Sequence, residues 1–303
     1  GADFPERDMN RATFDESVNV MARDEVLYHG HAVAAVAATT IGEARAAAAA
    51  VVVEYDVIDP VMEIEDALAD GAIIANTKNR TLFMGSDDES NLASFAPFSR
   101  GDVDEGFGSA DVVVEGHFTT RFVHQGYIEP HGCVADVGQD GKASVWGSSQ
   151  GHFAMRSKSA DILGWSTDRI KVTPVEIGGG FGGKTTIYLE PVAILLSQKA
   201  ARPVKLIMSR EEVLRATGPA PAAEITCKLG ATNDGELTTM QATMKYSNGS
   251  AKGYAAMLGA MSTASYKFPN LSIETFGTIN NIPRSAAYRA PSAPQAAFAV
   301  ESL

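Results

Sequence analysis

One stretch constrains this chain more than any other: Val175-Glu176-Ile177-Gly178-Gly179-Gly180-Phe181-Gly182-Gly183-Lys184-Thr185. Five glycines surround one phenylalanine, between a β-rich run at 170–177 and a helical run at 186–201. Glycines at that density allow φ > 0 and bring backbone close to a bound group with no Cβ in the way. A strand-to-helix turn also presents free N–H groups and the positive end of a helix dipole, so an anion is the expected occupant. The string fits Gly-x-x-x-x-Gly-Lys-Thr, the phosphate loop, and Gly-x-Gly-x-x-Gly, the dinucleotide turn. A phosphate loop needs a later apolar strand ending in Asp, but 204–208 runs into Ser209-Arg210-Glu211. A dinucleotide turn needs an acid about 20 residues on, at the end of the next strand, and none precedes Glu211. A tight turn packing helix on sheet is the plain alternative, and it leaves the number of glycines unexplained.

Composition narrows the class. The 303 residues are 45% hydrophobic and 20% charged, enough for one large or two modest domains. A net charge of −12 argues against nucleic acid or an anionic membrane surface as partner. No apolar run of 18 residues is present, and the acidic start GADFPERDMN is no secretory signal, so a cytoplasmic setting is expected. Cys133 and Cys227 read as reduced core residues. They are too few for an iron–sulfur cluster, which takes about four cysteines, so any such cluster sits on another chain.

The pattern along the chain predicts an α+β fold. Residues 1–23 read as polar and irregular. Strands are expected at 32–38 and 51–55, around a helix opened by Thr40 with Glu43 three residues on. A short helix follows at 64–69. Between 76 and 106, Gly, Ser, Asn, Asp and Pro dominate, which reads as an extended linker. Strands are expected at 110–120, 132–137 and 144–148, the last two joined by an Asp140-Gly141 turn. A helix at 153–163 should end on Gly164. Further strands are expected at 170–177, 203–208, 223–229, 238–246 (after an Asn233-Asp234-Gly235 turn) and 272–278. Residues 249–259 read as small and flexible, and a helix begins at 293.

Other segments join the glycine loop in a recognisable order. Trp146-Gly147-Ser148-Ser149-Gln150 precedes Phe153; Ala287-Tyr288-Arg289-Ala290-Pro291-Ser292-Ala293-Pro294-Gln295 is followed by Phe298 and Glu301; the unit at 28–55 and the segment 125–130 come earlier. Together they resemble the cofactor-binding subunit of the molybdenum hydroxylases, of the xanthine dehydrogenase and aldehyde oxidase type. The resemblance implies part of an a/b hammerhead domain at 1–75, the linker at 76–106, and the first molybdopterin-binding domain at 107–303. Carried over by position, Gln150 hydrogen-bonds the apical oxo group of the metal. Phe181, with the backbone of Gly180 and Gly182, closes over the metal, and Arg289 and Ala290 lie at its remaining oxygen. Thr185 belongs to the substrate pocket. Gln150, Phe181 and Arg289 are thus near the molybdenum through its oxo ligands or through backbone.

The implied cofactor is molybdenum–molybdopterin, with the cytosine dinucleotide form among its variants; the cofactor's sulfurs bind the metal, so no His/Cys ligand set is needed. A 2Fe-2S cluster and FAD are expected on partner chains or domains, in a dimer of heterotrimers that also includes the second half of the molybdopterin subunit. The implied reaction hydroxylates an electron-poor carbon of an N-heterocycle, aldehyde or related aromatic. Its glutamate base lies beyond this chain, which by itself is expected to be inactive. Two departures bear on substrate. Thr185 stands where purine-hydroxylating members carry glutamate, and Ala290 where carbon monoxide-oxidising members carry a copper-binding cysteine. Two other functions stay open: a phosphate-loop nucleotide-binding protein using Gly178 to Thr185, and a non-catalytic assembly scaffold. Plain readings also stand for single residues. Gln150 can simply end a strand, and Arg289 can stack on Tyr288. His29 and His31 fit a half-buried strand pair, while His117, His124 and His131 read as structural. Asp87-Asp88-Glu89 reads as a solvated turn.

Overall fold

Alternating small and branched apolar residues build two mixed sheets, seen in a computed structural model that describes residues 10–78, 89–253, 261 and 263–303. The strands are β1 (Leu92–Arg100), β2 (Val112–Thr120), β3 (Gly132–Val137), β4 (Ala143–Gly147), β5 (Ile170–Pro174), β6 (Val204–Ile207), β7 (Ala223–Ala231), β8 (Leu237–Ser247) and β9 (Asn270–Thr278). The helices are α1 (Arg11–Val20), α2 (Ile41–Ala49), α3 (Ile64–Leu68), α4 (Val103–Gly108), α5 (His152–Leu163), α6 (Glu190–Ala200), α7 (Arg210–Ala216) and α8 (Ala293–Val300). The chain divides into two interleaved units, one from residues 1–59 and 125–218, the other from 60–124 and 219–303.

In the first unit the sheet order is β5-β4-β3-β6, with β4 parallel to β5 and the other pairs antiparallel. Inward residues of β3 and β4, among them Cys133, Ala135 and Val145, meet Met155 and Ile162 of α5 and Ile194 of α6 in one core. Gly141 makes the β3–β4 turn at φ 74°, and Gly164 ends α5 at φ 69°, both as the sequence predicts. The irregular reading of 1–23 is corrected by α1: Asn10 Oδ1 caps it by accepting Thr13 N–H at 3.0 Å, and Val20 and Met21 join the core. The predicted capping box of α2 is complete, with Thr40 and Glu43 bonding each other's backbone N–H. No α2 residue is buried, so that helix rests on local signals alone. The predicted strands at 32–38 and 51–55 do not form. Neither has a ladder partner among the described residues, and Val51, Val52, Val53 and Tyr55 stay exposed.

The second unit's sheet runs β1-β9-β8-β7-β2, parallel only between β8 and β9. Ile225, Met240, Met244, Tyr246 and Ile273 form its core with Ala296 and Ala299 of α8. The expected linker contains β1, which pairs antiparallel with β9, and α4, capped by Asp102. Pro97 is tolerated because β1 is an edge strand. Of the acidic-turn reading, Asp87 and Asp88 lie outside the described residues, as do residues 254–259 of the segment read as flexible. Both cysteines are free and buried, one in each core. Burial pushes the Cys227 thiol up to about 12.

Candidate functional site

Strand β5 stops at Pro174, so the glycine loop begins before 177, and α6 starts only at Glu190. A single 3₁₀ turn, Gly183–Thr185, lies between them. The amides of Tyr188 and Leu189 that lead into α6 donate to the Glu190 carboxylate at 3.2 Å each. The expected helix-terminus anion site is therefore not formed at the glycines. Glu190 is buried, and that burial pushes its carboxyl up against the pull of these backbone bonds.

Each of the five glycines has a reason inside the chain, which corrects the view that a packing turn would not need them all. Gly179 and Gly182 take φ 93° and 105°. A Cβ on Gly178 would lie 2.6 Å from Glu129 Cβ, and one on Gly180 would lie 2.5 Å from Gln150 Oε1. On Gly183 it would meet Gln125 and Tyr127 at 2.9 Å. The loop is moulded around the side chains that hold it.

Gln150 is the chief of these. Its Oε1 accepts the N–H of Gly182 at 2.8 Å and of Lys184 at 3.3 Å, while its own N–H donates to Lys184 O at 2.9 Å. With Oε1 held, the exposed end of the amide is its NH₂, a pure donor. Beside it the N–H groups of Gly179, Gly180 and Phe181 make no hydrogen bond to the described residues. Successive free amides in a turn of mixed handedness are the backbone pattern from which anion-accepting nests are made. Phe181 itself is left-handed at φ 54° and half exposed, a conformation that costs a non-glycine residue about 1–3 kcal/mol and clusters at ligand clamps. Thr185 turns inward, its hydroxyl donating to Gly182 O at 2.7 Å.

Lys184 is fully buried, with Nζ 2.6 Å from Glu129 Oε2 and 5.0 Å from the Tyr127 ring centre. Glu129 also accepts the Gly178 N–H at 2.8 Å. Partial burial pushes the Glu129 carboxyl up, but the Lys184 and Gly178 bonds and the Lys184 charge outweigh it and hold the group below the usual carboxylate range. A phosphate-loop lysine must be free to reach a phosphate; this one is spent. Sequence reasoning missed Glu129 as its partner.

Arg289 and Ala290 stand in the second unit, in the turn that leads to α8. Arg289, Ala290 and Ser292 have φ 26°, 63° and 65°. Three left-handed non-glycine residues so close together mark a turn held by its surroundings. Gln295 Nε2 anchors it to Pro221 O at 3.0 Å, and Ala286 N–H to Pro219 O at 3.0 Å.

Among the described residues, no three His, Cys, Asp or Glu side chains gather as metal ligands. His31 is buried, its Nδ1 accepting Leu27 N–H at 3.2 Å and its Nε2–H donating to Val18 O at 2.6 Å. Both nitrogens are thus used by a neutral ring, and burial lowers its pKa. Because the folded pKa lies below the unfolded value of about 6.5, the unfolded chain takes up the proton first. The contribution is full above that value and is lost as pH falls below it. We expect urea stability to drop from pH 8 to pH 5.5, with a smaller drop in His31→Gln; equal drops in the two proteins would exclude His31.

The glycine loop of the first unit and the left-handed turn before α8 in the second are the backbone features that stand out beside the two sheets. The molybdopterin cofactor-binding domain matches residues 85–303, and the a/b hammerhead domain of aldehyde oxidase and xanthine dehydrogenase matches residues 1–59. The chain belongs to the molybdenum hydroxylase family. It is 28% identical over 282 residues to the nicotinate dehydrogenase large molybdopterin subunit of Eubacterium barkeri, covering 92% of this chain and 64% of that one. Quinoline 2-oxidoreductase from Pseudomonas putida 86 superposes with a TM-score of 0.86 at 25% identity, covering 94% of this chain and 36% of that one. CO dehydrogenase from Oligotropha carboxidovorans gives 0.82 at 26%, covering 93% and 37%. The chain thus spans less than two thirds of the length of these relatives. No helix among the described residues is long and apolar enough to cross a membrane.

Proposed function

We propose that this chain holds one side of a molybdenum–molybdopterin cofactor in an oxidoreductase that hydroxylates an electron-poor carbon, with N-heterocycles as the favoured substrates. The observation that carries this is the run of unpaired amides at Gly179, Gly180 and Phe181 beside the donor end of Gln150. Such a surface suits a group rich in oxygen and sulfur acceptors, and needs no ligand from protein side chains. When bound, the cofactor supplies the redox chemistry. Gln150 would donate to one of its oxygens and Phe181 would shield it from water, and the resemblance gives Arg289 and Ala290 a place at the same group. Thr185, already bonded to the loop, presents little charge to a substrate, which disfavours purines; Ala290 offers no thiol for copper. Two relatives named for nicotinate and quinoline support the heterocycle reading.

A 2Fe-2S cluster and FAD on partner chains would carry the electrons away, in a dimer of heterotrimers. The complete complex should contain about one molybdenum and one pterin per copy of this chain by metal and pterin analysis; a complex with neither would make the chain a scaffold. The isolated 303-residue chain should show no substrate oxidation, and measurable turnover without a partner would contradict a catalytic base lying elsewhere.

A further inference from the structure

A groove of about 340 Å³ runs along the outer edge of the first unit's sheet, between α5 and β5. It is lined by His152, Phe153 and Arg156 from α5, by Lys171 and Val172 from β5, and by Asp168. Strand β5 is outermost in its sheet; Ile170 N–H donates to Thr167 O and Pro174 has no N–H, so the open part of its outer edge is at 171–173. Phe153 is 87% exposed, although it begins a helix whose Met155, Ile162 and Leu163 are buried. His152 Nε2 is shielded from solvent and has no partner. Arg156 donates through Nε to Thr167 O at 2.8 Å, and Lys171 forms no ion pair with the described residues. The one carboxylate, Asp168, accepts from the Ser166 hydroxyl and also feels the Arg156 charge, so two cations stand against one carboxylate in the groove.

An exposed strand edge invites a further strand, and a lysine on it is a common guard against unwanted pairing. Guarding does not account for a bare phenyl ring and an unpartnered imidazole in the same groove. The charge is also reversed here: a basic groove on a chain of net charge −12. A second copy is a poor occupant, because pairing β5 with its equivalent would set Lys171 and Arg156 against like charges. We infer that the groove takes an extended, carboxylate-bearing segment of a partner protein, added as a strand to β5. One apolar side chain of that segment rests on Phe153, and its acids meet Arg156 and Lys171. Backbone pairing would supply affinity and these side chains specificity.

The test titrates the full chain into a fluorescein-labelled octapeptide of alternating Glu and Val, and into its Lys–Val counterpart. The Glu peptide should bind at least tenfold more tightly and slow hydrogen exchange at the amides of 171–173. Lys171→Glu should weaken it at least fivefold, and Phe153→Ser, at a residue exposed enough to be compatible with folding, should weaken it too. Equal affinity for the two peptides, unchanged exchange in β5, or displacement of the Glu peptide by millimolar inorganic phosphate would overturn the inference. So would a concentration-dependent dimer in sedimentation that Lys171→Glu abolishes, since the occupant would then be a second copy.

Discussion

Replacing Gln150 with glutamate should lower turnover of the assembled oxidoreductase about a hundredfold, the usual loss when one preorganised donor to a reacting oxygen is removed. Molybdenum and pterin content should stay close to wild type. The reason is the split use of the amide: Oε1 accepts from Gly182 and Lys184, so a carboxylate can still hold the loop. The NH₂ donor is lost and a carboxylate charge takes its place. Gln150→Ala is the harsher change, since it also frees both loop amides, and it should reduce cofactor content as well as rate. Steady-state kinetics normalised to bound molybdenum separates the two. A glutamate variant with wild-type turnover would remove Gln150 from the site.

The second large effect concerns stability. Glu129→Gln should destabilise the first unit by about 3 kcal/mol, the lower end for a buried pair that loses one partner, because Glu129 is 37% exposed and water screens the ion pair. Lys184 would be left as a fully buried cation with no counter-charge. Lys184→Met should cost less, since methionine fills similar volume and the remaining carboxylate reaches solvent. Both tryptophans, Trp146 and Trp165, lie in the first unit, so urea unfolding followed by their fluorescence reads that unit directly. Equal losses for the two variants would refute the asymmetry. The sign with pH follows from Glu129 being held below the usual carboxylate range. Its contribution is complete above about pH 4.3 and is lost as pH falls through its lowered value.

What could be read before folding was known was what depends on neighbours in sequence. The α2 capping box, the Gly164 stop and the alternation of β3, β4, β7 and β8 are all local, and all are found. The misses share a different cause. In α1, buried Asp15, Ser17 and Asn19 disguise the inward face. In β1, Ser94, Pro97 and Ser99 break the alternation, and only pairing with β9 makes a strand of it. The segments at 32–38 and 51–55 have the right composition and no partner, and composition alone does not make a ladder. Helix α7 did carry a local sign, Ser209 with Glu212, and the structure shows both halves of that capping box. At the site the motifs were visible but their contacts were not. Nothing local tells that Gln150 holds the loop 32 residues later, or that Lys184 meets Glu129 from 55 residues away.

The interleaving of the two units bears on how the chain leaves the ribosome. The core of the first unit needs Val20 from α1, while β6, the last strand of its sheet, ends at Ile207. At about 10 residues per second, roughly 20 s of synthesis separate them. During that interval the front of the first unit and nearly half of the second must wait, exposed, for partners not yet made. A ribosome-bound chain released just after β6 should therefore be the first length to resist protease across α1 and α5, and no single cut in the gene should yield either unit free of part of the other.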